Sequence, residues 1–136
     1  MREIKFRAWD TLNKRMLPVV NIKFRLYYRE QLNGPVDEVT VDGDGWNDLI
    51  EWELMQFTGL FDKNGKAIFE GDIVKWNSWK DKRDTGWEKG QIVWHQKELG
   101  FRIRENYIDY SPAIYEHIEV IGSIYENPEL LKPLLI

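Results

Sequence analysis

"GLFDKNGKAIFEGDIVKW" occupies residues 59–76, and its reading decides the fold. Gly59 followed by the Gly65-Lys66 pair has the outline of a phosphate-binding loop. Such a loop needs four residues between its glycines, a Ser or Thr after the lysine, and a helix behind it. Here five residues, 60–64, separate Gly59 from Gly65, and Ala67 stands where the magnesium-binding hydroxyl belongs. Residues 67–76 are rich in β-branched and aromatic side chains, so no helix N-terminus aims its amides at a phosphate. Asp62-Lys63-Asn64-Gly65 instead suits a tight hairpin turn. Asp62 can accept backbone hydrogen bonds there, and Asn64 or Gly65 tolerates positive φ. The stretch is a turn between strands.

The same period of two runs outward from this turn. Near the N-terminus Ile4, Phe6 and Ala8 point one way and Lys5, Arg7 and Trp9 the other, a strand with one buried face. Asp10 to Lys14 supplies turn residues, and Arg15 to Val20 begins a return strand in which Pro18 belongs at an edge or a bulge. Ile22, Phe24 and Leu26 alternate with Lys23, Arg25 and Tyr27 in a further amphipathic strand. Turn clusters at 33–35 and 42–45 bracket a short Val-rich piece, and Asn47 can cap one helical turn before a strand at 52–57. Strands are expected at 67–69 and 73–76. Residues 77–90 lack an apolar period and read as a long charged loop. Residues 91–94 and 101–104 form a hairpin around "HQKELG", and 118–124 a late strand. Asn127, Pro128 and Glu129 then open a C-terminal helical turn. The expected fold is mainly β: antiparallel hairpins in a partly open, barrel-like arrangement, with short helical turns, in one domain over residues 1–136.

Composition narrows the class. Apolar residues at 43% and charged residues at 31% describe a folded soluble protein. No apolar run is long enough for a membrane span, and the N-terminus lacks the continuous apolar stretch of a signal peptide, so a cytoplasmic setting is expected. The absence of cysteine excludes disulfides, zinc thiolates and thiol nucleophiles. The net charge of −4 conceals a polarity along the chain. Residues 1–29 hold eight Lys/Arg against two acids, whereas residues 30–55 hold eight acids and no Lys/Arg. Mutual neutralisation in the fold is the simplest consequence.

Catalytic and metal-binding patterns are weak. Asp42, Asp44, Asp48 and Glu53 fall at positions 1, 3, 7 and 12 of a calcium loop, but Trp46 and Asn47 occupy positions that need a ligand and a glycine. His95 and His117 are too few and too scattered for a transition-metal site. A His/carboxylate hydrolase would need one of them in a cleft beside an acid, and no serine has a triad context. No catalytic residue, metal ligand or cofactor is therefore assigned, and a non-enzymatic role is expected.

Three segments, "MREIKFRAWD" (1–10), "ELMQFTGLFDKNGKAIFEGDIVKW" (53–76) and "IEVIGSIYENPELL" (118–131), resemble the YopX family in order and spacing. Residues 27–50 and 77–117 do not share the resemblance. It implies a mainly β protein encoded by a bacteriophage or prophage, in the cytoplasm of a bacterial host, with no activity or site residues to carry over.

Two surfaces then compete. Four of the seven tryptophans flank or lie in the charged loop. Trp76 and Trp94, on strands, suit core or barrel-edge packing. Trp79 and Trp87, with Lys80, Lys82 and Arg83, suit a loop that binds a host or phage protein. The alternative is a basic, aromatic strand face, Lys5, Arg7 and Trp9 beside Lys23, Arg25 and Tyr27, of the kind that holds nucleic acid. Against it stands the acidic balance of the chain. The preferred expectation is a protein-binding or self-assembling module, homo-oligomers included because open β edges favour symmetric assembly. A nucleic-acid-binding accessory protein is second and the hydrolase third.

Overall fold

The computed structural model describes residues 3–23, 38–41, 46–48, 52–77, 87–105, 108–110 and 117–131. The described chain is almost entirely strand: β1 (Phe6–Asp10), β2 (Arg15–Lys23), β3 (Glu38–Val41), β4 (Trp46–Asp48), β5 (Trp52–Phe61), β6 (Ala67–Phe69), β7 (Asp72–Asn77), β8 (Trp87–His95), β9 (Gly100–Glu105), β10 (Ile108–Tyr110) and β11 (Glu119–Ser123). A 3-10 turn, Pro128–Leu131, closes the described chain. All pairings are antiparallel, and each order ends in strands with a single partner among the described residues, so the sheets are open. The mainly β expectation, with its helical turn at the C-terminus, is the fold.

The chain divides into two compact units, one of Ile4–Gln56 and one of Phe57–Ile136 together with Met1–Glu3. The long strand β5 contributes Trp52–Gln56 to pairing with β1, and Phe57 to Phe61 to pairing with β6.

In the first unit the order is β4-β3-β2-β1-β5. β1 is central, lying between β2 (Ala8 opposite Leu17) and β5 (Ala8 opposite Leu54). Ala8 and Trp52 form a small core with Leu17, Val19 and Leu54 packed against it. Trp9 is buried like its neighbour Ala8 although the two point to opposite faces, while Ile4, just before the strand, is exposed. The expected one-sided burial of this strand is thus corrected at both ends. β2 runs unbroken through Lys23, so Ile22 and Lys23 continue the return strand and do not begin a new one. Pro18 faces Arg7 of β1, and pairing with β3 starts only at Val19, where the register shifts. The missing N–H therefore falls beside a bulge, as a proline in a ladder requires. Asn47 pairs with Val39 inside β4, so it is a strand residue and not the expected cap; the rest of that expected turn, 49–50, lies outside the described residues.

The Asp10 turn closes β1 onto β2. Its carboxylate accepts from Leu12 N and Asn13 N at 3.0 and 3.1 Å, Asn13 Nδ2 at 2.8 Å and Arg15 Nε at 3.0 Å. Lys14 takes φ of 55° at its end.

The second unit contains the sheet β10-β9-β8-β7-β11. Its core is Ile68, Val74, Trp76, Ile92, Ile103, Ile118 and Val120, with Leu60 and Phe101 packed against it. Each such side chain withdrawn from water contributes roughly 1.5–3 kcal/mol. β8 begins at Trp87, with Glu88 opposite Trp76 and Lys89 opposite Lys75, so the expected loop over 77–90 is shortened at its C-terminal end. Backbone pairing to β7 overrides the missing apolar period. Across the β5–β6 register shift Thr58 Oγ1 donates to Ile68 O at 2.8 Å and accepts from Leu60 N at 3.2 Å.

Candidate interaction surface

The Asp62 turn behaves as its sequence requires. Gly65 N donates to Asp62 O at 3.0 Å and Asp62 N to Lys66 O at 2.8 Å, with Gly65 at φ 80°. Asp62 Oδ1 accepts from Asn64 N and Lys66 N, both at 2.9 Å. Burial alone would push this carboxyl up, but the N–H groups of Val120, Lys66 and Asn64, with the Lys66 charge, hold it below the usual carboxylate range. The turn is a hairpin closure, with no phosphate cradle in it.

Among the described residues of the second unit, the exposed large apolar side chains are Phe61 at the end of β5 and, on the β8–β9 hairpin, Trp94 and Leu99. Ile92 faces Ile103, and two residues further Trp94 faces Phe101. Residues two apart share a face, so Trp94 and Phe101 prolong the face that Ile92 and Ile103 bury. Phe101 reaches the core, but Trp94 stays 46% exposed. The two rings meet edge to face, 5.2 Å apart at 77°, a favoured aromatic geometry. Beyond them the turn at 96–99 ends in Leu99, which is 76% exposed and has φ of 51°. A leucine in that left-handed region costs roughly 1–2 kcal/mol that glycine would not.

Side chains hold the hairpin tip in place. His95 Nδ1 accepts from Glu98 N at 3.1 Å, and Glu98 Oε2 pairs with Arg102 Nε at 3.0 Å. Arg102 Nη1 donates to Phe101 O at 2.7 Å. His95 and Glu98, the pair on which a hydrolase would draw, are thus engaged in the turn. His117 is exposed just ahead of β11. Among the described residues no three His, Cys, Asp or Glu side chains converge to hold a metal. Asp48 and Glu53 lie on separate strands, β4 and β5, and not on one calcium loop.

Of the residues singled out in sequence, Trp79, Lys80, Lys82 and Arg83 lie outside the described residues, as do Arg25 and Tyr27. Trp87 opens β8 opposite Asn77. Lys5 and Arg7 are half-buried, and Trp9, 7% exposed, is not accessible for a base to stack on. Lys23 lies opposite Glu38, which in turn lies opposite Asp48. The strands of the acidic segment therefore extend the sheet beside the basic β2. Trp76 is buried as expected, whereas Trp94, expected in packing, is half exposed. Sequence reading missed Trp94 and Leu99 as a surface pair. The one signal was a leucine directly before the turn glycine, where a small or polar residue is usual.

A family profile described as YopX protein matches residues 5–132. The crystal structure of protein EF1440 from Enterococcus faecalis is similar over 97% of this chain and 100% of its own, at 26% identity and a TM-score of 0.63. The crystal structure of protein yopX from Bacillus subtilis is similar over 98% of this chain and 99% of its own, at 22% identity and a TM-score of 0.51, a likeness of fold. No curated protein matches the chain.

Proposed function

The chain belongs to the YopX family, and on that premise we propose a non-catalytic protein-binding module that engages a host or phage protein through the tip of the β8–β9 hairpin. One observation carries the reading. Trp94 and Leu99 are exposed on a hairpin whose tip is braced by side chains, and Leu99 is held in a backbone conformation unfavourable to it. Non-glycine residues in that region concentrate at binding and switch sites. Tryptophan is among the side chains most enriched where protein contacts carry energy. The phage and prophage setting of the family makes a bacterial or phage protein the natural partner.

Affinity capture from bacterial lysate, with and without nuclease, tests the reading when wild type is compared with Trp94→Ser and Leu99→Gly. A discrete protein partner that survives nuclease and is lost from both folded variants is the expected outcome. Capture indifferent to both substitutions removes the hairpin from the function. Recovery of nucleic acid, with protein partners lost after nuclease, favours the basic-strand alternative.

A further inference from the structure

β11 is the last strand of its sheet, paired to β7 alone among the described strands. An edge strand offers a row of N–H and C=O groups to any passing strand. Successive residues direct these groups to alternate sides, so Ile118 and Val120 turn theirs the same way. Both are engaged by the Asp62 turn. Val120 N donates to Asp62 Oδ2 at 3.0 Å, across 58 residues of chain, and Lys63 N donates to Ile118 O at 3.0 Å. Since the turn holds them, these are the groups that face away from β7. Lys63 Nζ adds an ion pair to Glu119 at 3.5 Å.

We infer that the Asp62 turn is an edge guard: it occupies two outward hydrogen-bonding groups at the start of β11, Val120 N–H and the carbonyl of Ile118 just before the strand, and so bars a second copy of the chain from adding a strand there. The division of labour within Asp62 supports this. Its Oδ1 suffices for the turn, accepting Asn64 N and Lys66 N, while Oδ2 is spent on β11. The guard does not depend on the hairpin reading, because it concerns a different face and different residues.

Two substitutions separate guarding from turn formation. Asp62→Asn retains one oxygen for Asn64 and Lys66 but sets an NH2 group against the Val120 N–H. Lys63→Pro removes the donor to Ile118 O at a turn position where proline is favoured, together with the Glu119 ion pair. Circular dichroism, amide exchange at Val120 and light scattering over a concentration series are then measured on the full chain. Expected are a wild-type spectrum in both variants, Val120 exchange faster by about tenfold or more in Asp62→Asn, and a mass that rises above that of wild type with concentration. The inference is overturned if both variants keep the wild-type mass while Val120 exchange accelerates, or if Val120 exchange is unchanged in Asp62→Asn. Loss of the fold in both variants also overturns it, since the turn would then be needed for folding itself.

Discussion

Two glycines of the second unit serve opposite needs. A Cβ on Gly90 would lie 2.6 Å from Ile103 Cγ2, 3.0 Å from Arg104 O and 3.2 Å from Trp76 Cη2, so the core itself demands hydrogen there. Gly90→Ala is expected to cost about 1–3 kcal/mol through overpacking, measured by chemical denaturation. A Cβ on Gly65 would meet nothing within 4 Å, but its φ of +80° disfavours any side chain. Gly65→Ala should cost roughly 1–2 kcal/mol through conformation alone. Asp10 supplies a pH signature. The Asn13 side-chain amide leads the groups that lower its pKa from 3.8 to about 2; burial opposes it, and Asn13 N, Arg15 and Leu12 N add to the lowering. With the folded pKa depressed, its stabilisation is complete above 3.8 and is lost as pH falls toward about 2. Asp10→Asn should therefore flatten the acid limb of the stability profile in that window, read as thermal midpoints across a pH series. Asp10 and Asp62 were both legible as turn residues, because a short carboxylate two or three residues ahead of an Asn can accept bonds from the backbone N–H groups that follow it. That Asp62 also reaches Val120 was not legible, since nothing in the spacing of residues 58 apart announces a contact.

Hairpins were the elements most readily read, and their limits the least. "FRIR" identified β9 because its apolar residues alternate, and "QIVW" identified β8 by its β-branched and aromatic side chains. The start of β8 at Trp87 was not legible because Trp87–Gly90 is a strand by virtue of its backbone ladder to β7. The hairpin tip makes a prediction that separates stability from function. Leu99→Gly relieves the left-handed leucine and should raise stability by up to about 1 kcal/mol, while abolishing partner capture. A folded Leu99→Gly that is no more stable than wild type, by denaturation midpoint, would show that the backbone cost is absent. Trp94→Ser removes a side chain only half withdrawn from water, so its effect on capture should exceed its effect on stability.

At the scale of the molecule, charge decides between partner classes. The chain carries a net −4, and the acidic strand β3 lies beside the basic β2, with β4 beyond it in the same sheet. Partner capture through an apolar hairpin tip should change little as salt rises from about 0.05 to 0.2 M. A nucleic-acid contact with six or more phosphates would weaken by about a thousandfold or more over that range. A capture assay across a salt series reads the difference directly. The sequence by itself determined the mainly β class, the Asp62 and Asp10 turns, the C-terminal helical turn and the dismissal of a phosphate loop. All of these stem from local periodicity and from side chains that bond their own backbone. Only the tertiary structure decided that β1 is central, and that Trp9 is buried where alternation would expose it. It alone decided that Trp94 runs past the edge of the core and that the Asp62 turn covers β11. Burial depends on which strands become neighbours, and neighbours distant in sequence are chosen by the packing of the whole chain.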